Sequence, residues 1–243
     1  MNGFRLLGSA FVFTCLLLAQ VSPASAFRLV PIEMEFAPSG RGATQIFRLE
    51  NDTAEPVAIE VSLMTRRMTE QGEDQLEPAG ENFAIFPEQI VLQGNQSQSV
   101  RVQWMGNANP SQELAFRLVA EQLPVDLGKA PLPGGQVRLL VRYVASVYVT
   151  PQGAKPDPVV TSVAPQGKAL AVTVTNRGTS RQILRDATLT VTGGGKTVTL
   201  RGEQLTGLLG ENVLAGATRR FSIPLPAGLP QGPLSATLAA APR

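Results

Sequence analysis

From Phe27 onward, apolar and polar residues alternate in short runs, with glycine, proline, asparagine and aspartate between one run and the next. Side chains alternate faces along a strand, so a period of two buries one face and leaves the other in water. Ile46-Phe47-Arg48-Leu49-Glu50, Val57 to Leu63 and Val100-Arg101-Val102-Gln103-Trp104 have this period, and Ala115 to Leu123 is a further strand candidate. Pro38-Ser39-Gly40, Gln71-Gly72, Gly94-Asn95 and Asn109-Pro110 supply turns between them. No segment carries a long apolar stripe at the helical period. The pattern predicts an all-β chain, and about seven strands in this first part suit an immunoglobulin-like sandwich.

The composition changes at Thr150-Pro151-Gln152-Gly153-Ala154-Lys155-Pro156-Asp157-Pro158. Prolines so closely spaced cannot join a sheet interior, so residues 151–158 are expected to form a semi-rigid hinge. Residues 27–150 then make one domain and residues 159–243 a second, smaller β-sandwich. In the second, Leu170 to Thr175 alternates, and Thr188 to Thr192 faces Lys196 to Leu200 across Gly193-Gly194-Gly195 as a hairpin. Arg220 to Ile223 and Ser235 to Leu238 supply later strands. Gly195-Lys196-Thr197 ends like a phosphate-binding loop, but the position that needs the first glycine is Thr190.

Residues 1–26 read as a secretory signal peptide: Arg5, an apolar stretch from Leu6 to Val21, then Ala24 and Ala26 in a small-x-small pattern before Phe27. No later stretch approaches the ~18 uninterrupted apolar residues of a membrane span, so no membrane insertion of the mature chain is expected. The whole chain has no histidine and a single cysteine, Cys15, which falls in this segment. That excludes a Ser-His-Asp triad, histidine-ligated zinc, a four-cysteine metal site and an intrachain disulfide. An enzyme is disfavoured and no cofactor is implied. With 21 Lys+Arg against 19 Asp+Glu, no strong positive field marks nucleic acid as a partner.

The most informative stretch runs from Val137 to Val149. Its odd positions, Val137, Leu139, Val141, Tyr143, Ala145, Val147 and Val149, are all apolar, while its even positions include Arg138, Arg142, Ser146 and Tyr148. As one strand it would span about 43 Å, well beyond a usual strand of about five or six residues. A Gly/Pro-containing loop, Pro124 to Gly135, precedes it. The apolar face either fills its own sandwich or is offered to a partner. Alternation leaves both open.

Phe86-Pro87, Val100-Arg101-Val102, Glu113-x-x-Phe116-Arg117-Leu118, Leu123-Pro124, a long loop and a strand ending at Pro151 follow in this order. The order resembles the periplasmic chaperones of the chaperone–usher pilus pathway (PapD-like), over the signal segment and most of residues 27–151. The resemblance implies two immunoglobulin-like β-sandwich domains in a boomerang arrangement, acting in the periplasm. It implies pilus (fimbrial) subunits as partners, an outer-membrane usher as recipient, and a self-capping homodimer when free. Subunits of this pathway lack a last strand, and the chaperone lends one by donor-strand complementation, a form of β-augmentation. Val137, Leu139, Val141 and Tyr143 would enter the subunit groove, and Ala145, Val147 and Val149 would pack at home.

The best-known branch of the family grips the subunit's C-terminal carboxylate with two basic residues. Aligned on Phe36 and Pro151, this chain has Glu33 and Ser146 there, which points to the archaic or spore-coat-like branch and to another anchor. Arg117 and Arg142 are the candidates, because a guanidinium binds a carboxylate bidentately. Arg101 and Glu113 resemble the family's internal salt bridge. The competing classes are an exported structural β-sandwich protein, such as a pilus subunit or adhesin, and a carbohydrate-binding module. One Trp and two Tyr give the last of these little support.

Overall fold

The computed structural model describes residues 27–125, 127 and 139–241. The signal segment expected over residues 1–26 lies outside the described residues, as do Val137 and most of the loop before it. Among the described residues, β1 (Arg28–Val30), β2 (Glu33–Phe36), β3 (Thr44–Glu50), β4 (Val57–Met68), β5 (Asp74–Pro78), β6 (Phe83–Phe86), β7 (Gln89–Leu92), β8 (Ser97–Trp104), β9 (Leu114–Gln122) and β10 (Arg142–Val149) build the first sandwich. One sheet has the order β1-β3-β8-β6, and the other β2-β10-β9-β4-β5 with β7 also paired to β4. Phe47, Leu49, Val100 and Val102 of the first sheet meet Leu118, Ala120, Val147 and Val149 of the second in one buried core. Within it Phe83 makes edge-on contacts to Phe36, Trp104 and Phe116 at ring separations of 5.7, 5.0 and 4.9 Å. Such pairs add about 0.5–1.5 kcal/mol each beyond the area they bury.

The chain changes sheets between β1 and β2. β1 runs antiparallel to β3, whereas β2 runs parallel to β10, with Ser146 opposite Glu33. This crossing decides how much of β10 is covered.

The second sandwich comprises β11 (Pro158–Gln166), β12 (Ala169–Asn176), β13 (Gln182–Ile183), β14 (Thr188–Gly193), β15 (Lys196–Leu200), β16 (Asn212–Val213), β17 (Thr218–Pro224) and β18 (Ser235–Ala239). Sheets β11-β12-β17 and β15-β14-β18, with the short β13-β16 ribbon, enclose a separate core around Leu170, Val172, Val174, Leu189, Val191, Phe221 and Ile223. The expected glycine hairpin joins β14 to β15: Gly193 pairs with Lys196, leaving Gly194 and Gly195 as a two-residue loop with φ of 51° and 74°. Such a loop needs positive φ at both positions, which glycine adopts without strain.

Two features differ from the expectation. β10 starts at Arg142, so the paired strand is shorter than the thirteen-residue run of alternation. The hinge is docked against the second sandwich: Thr179 donates its N–H to the Lys155 carbonyl at 2.7 Å, and the Asn176 side chain accepts from the Asp157 N–H at 2.9 Å. Pro158, the last residue of the expected hinge, opens β11, an edge strand where a missing N–H is tolerated.

Candidate functional site

β9 pairs with β10 along its whole length, but β2 covers the opposite edge only from Ser146 to Val149. Among the described residues, no strand pairs with Arg142 to Ala145 on that side. Leu139 to Val141 lead into this edge, and the Val141 carbonyl accepts from the Gln122 N–H at 2.9 Å. A row of unpaired backbone groups on an edge is a template for another strand.

Side chains on the edge divide by depth. Leu139 is 68% exposed, and Leu140 and Val144 are exposed with it. Val141 and Tyr143 are half-buried against the first core, where the Tyr143 ring meets Phe27 edge-on at 5.2 Å. Ala145, Val147 and Val149 are fully buried. Of the four residues expected to enter a groove, Leu139 stands free, Val141 and Tyr143 already touch their own core, and Val137 lies outside the described residues.

Beside this edge, a cavity of about 530 Å³ opens between the two sandwiches, and Glu33, Arg66, Arg117, Ser146, Tyr148, Arg185, Asn212 and Arg219 are among its walls. Its floor is an ion network. Arg181, just before β13 and 1% exposed, stacks on the Tyr148 ring with its guanidinium carbon 3.4 Å from the ring centre. It donates from Nη1 to Glu113 Oε2 at 2.7 Å, from its backbone N–H to Glu113 Oε1 at 2.9 Å, and from Nη2 to Glu33 Oε1 at 2.9 Å. The Tyr148 hydroxyl accepts from Arg66 Nη1 at 3.1 Å and Asn212 Nδ2 at 3.0 Å. Asp74 accepts from Arg66 Nε and Arg117 Nε, each at 2.7 Å, and Arg117 Nη1 donates to Ser146 Oγ. Arg219 donates to Glu211 Oε2 at 2.8 Å. Arg185 is exposed on the wall, and its side chain makes no ion pair or hydrogen bond among the described residues.

The anchor candidates therefore fall in different places. Arg117 lies in the cavity but is held by Asp74 and Ser146. Arg142 lies outside it, opposite Glu121, with Nε 3.7 Å from the carboxylate. The expected Arg101–Glu113 pair is corrected. Val100 and Val102 point into the core, so Arg101 points outward and bonds Gln103 Oε1 at 3.0 Å, while Glu113 turns inward to Arg181. The partner of Glu113 is thus a base that the second sandwich supplies. Arg181, Tyr148 as its platform, Asp74 and Arg219 were all missed. The one available signal was an arginine in the turn-rich stretch Arg177-Gly178-Thr179-Ser180-Arg181, away from any alternating face.

Residues 37–155 match the family model described as "Pili and flagellar-assembly chaperone, PapD N-terminal domain". No curated protein matches the sequence. Among solved structures, the class 5 fimbriae chaperone CfaA is similar over 89% of this chain and 100% of its own, at 13% identity and a TM-score of 0.57. The Escherichia coli chaperone DraB is similar over 84% of this chain and 86% of its own, at 22% identity and a TM-score of 0.53. The Salmonella enterica SafA pilin–SafB chaperone complex gives the same coverages, at 17% identity and a TM-score of 0.55. These likenesses establish the fold, two β-sandwiches in one chain. By this match, residues 37–155 form a PapD-type N-terminal domain of the pili and flagellar-assembly chaperones.

Proposed function

We propose that this chaperone binds pilus subunits along the open edge of β10, completes their fold by donor-strand complementation and passes them to an outer-membrane usher. The observation that carries this reading is the open edge itself: backbone from Leu139 to Ala145 beyond the reach of β2, with Leu139, Leu140 and Val144 exposed along it. A complementary edge would add about 1 kcal/mol per ladder hydrogen bond. Each apolar side chain taken into a subunit groove would add about 1.5–3 kcal/mol. Val137, Leu139, Val141 and Tyr143 are the proposed donors, with Leu139 foremost because it is not engaged at home. The same edge would allow two free copies to cap each other. Chemistry on the subunit is not needed, since binding alone drives this folding.

The chain is proposed to act in the periplasm after export directed by residues 1–26. Among the described residues, no helix is long and apolar enough to cross a membrane. For the subunit's terminal carboxylate, the cavity offers Arg117 beside Ser146 and Arg185 on its wall. A ligand on Arg117 must compete with Asp74, whereas Arg185 has its donors free among the described residues, so Arg185 joins Arg117 as the proposed anchor. Arg142 is the weaker candidate, because it faces Glu121 outside the cavity.

Co-expression in a bacterial periplasm with the pilus-type subunits encoded beside this chain tests the reading. A complex of about 1:1 is expected with the parent, and its loss is expected in Leu139→Asp, which would place a charge in the groove. Absence of any complex, or a variant that binds as well as the parent, would overturn it.

A further inference from the structure

The turn between β4 and β5 reaches across to the second sandwich, and nothing in strand donation uses it. Its own hydrogen bonds close it: Thr69 donates its N–H to the Glu73 carbonyl at 2.9 Å, and Gly72 donates to the Thr69 carbonyl at 3.0 Å. At its tip, the Glu70 carbonyl accepts from the Arg220 N–H on β17 at 2.7 Å, and the two side chains pair at 3.8 Å. β17 is an edge strand, so the turn occupies one of its open backbone groups. The neighbouring Arg219 lays its guanidinium on Gly72, where an added Cβ would stand 2.2 Å from Nη2. The same side chain reaches Met68 Sδ at 3.3 Å, the Asn212 carbonyl at 2.9 Å and Glu211 Oε2 at 2.8 Å. One buried guanidinium thus joins the end of β4, the turn after it and the segment leading through β16.

We propose that this turn is a strap between the sandwiches, with Arg219 as its positioning residue, holding them at one angle and setting the width of the arginine-lined cavity. Apart from the single side-chain bond between Tyr148 and Asn212, the linker and Glu113 both engage the chain between β12 and β13. Contacts gathered on one loop leave rotation about it, and relative motion is the ordinary state of two domains joined by a short linker. The strap binds a different element, β17, and removes that rotation. It also divides the space between the sandwiches. The arginine-lined cavity lies on one side, and on the other lies a space of about 460 Å³ walled by Thr65, Arg67, Gln112, Leu214 and Gly216. Arg66 and Met68 of β4 line both. Releasing the strap would part Arg66 and Arg117, both tied to Asp74, from Arg185 and Arg219 on the facing wall.

Backbone ¹⁵N relaxation on the chain from Phe27, without any subunit, reads this directly and stands or falls apart from the chaperone reading. The parent is expected to tumble as one body. Arg219→Ala is expected to give the two sandwiches distinct correlation times. So is Gly72→Asn, asparagine being the side chain that bears positive φ with least strain, because its Cβ would displace the guanidinium. A backbone hydrogen bond between positions 70 and 220 brings their Cα atoms into the disulfide range of roughly 4.4–6.8 Å. Glu70→Cys with Arg220→Cys should therefore cross-link under mild oxidant and return Arg219→Ala to one-body tumbling; the chain from Phe27 has no other cysteine. Two-body tumbling in the parent, one-body tumbling in Gly72→Asn, or a folded double-cysteine chain that stays reduced would each overturn the strap. Should Arg219→Ala not fold, the glycine and double-cysteine variants still decide the matter.

Discussion

Arg181 brings a full charge to a place that water does not reach, and Glu113, with its side chain equally buried, meets it there. Attraction at 2.7 Å, the second bond from the Arg181 N–H and the face of Tyr148 offset the desolvation of both ions. Taking away Arg181 strips the buried Glu113 carboxylate of the guanidinium that meets it. Arg181→Ala is therefore expected to lower stability by about 3–5 kcal/mol in urea unfolding. A loss within ~0.5 kcal/mol, ordinary for a surface change, would show that the network contributes nothing. Tyr148→Phe strips the acceptor shared by Arg66 and Asn212 and is expected to cost about 1–3 kcal/mol by the same measurement. None of this was legible from residue types alone. Arg181 meets Glu113 from 68 positions away and Glu33 from 148, and a single sequence carries no sign of which distant ions pair.

β10 is divided along its length, and the division falls where β2 begins. From Ser146 on it has neighbours on both edges and a buried odd face; before Ala145 it has one neighbour and apolar side chains in water. Leu139→Ser is expected to change stability by no more than ~0.5 kcal/mol while weakening subunit capture in a pull-down. Ala145→Leu should do the reverse, overfilling the core at a cost of about 1–3 kcal/mol in thermal or urea unfolding. If Leu139→Ser destabilised the chain as much, the leucine would belong to the core and the division would be wrong. Alternation revealed which face of β10 is apolar, but not where its edge opens. That depends on the crossing at Pro31-Ile32, which no periodicity in residues 137–149 reports. For a similar reason β5, β6 and β7 escaped notice: each is four or five residues long, too short for a period of two to separate from loop composition.

Two sandwiches, each with its own apolar cluster, were legible from strand runs on both sides of a proline-rich break, because a core is written locally as alternation. How the sandwiches meet was not, since that rests on a few polar contacts between distant positions. One outcome of that meeting governs how a partner arrives. Three of the four guanidiniums that line the cavity already have a carboxylate against them: Arg66 and Arg117 share Asp74 and Arg219 has Glu211, while Arg181 behind Tyr148 has Glu113 and Glu33. Opposite charges this close cancel at a distance, and salt screens what remains beyond about 8–10 Å. The cleft therefore projects little field into solution, although it holds strong donors within. Stopped-flow association with a subunit should vary less than about tenfold with ionic strength, where an electrostatically steered pair gains roughly 10- to 10³-fold at low salt. Encounter would then be governed by the shape and apolarity of the open edge, and charge would act only after the partner has arrived.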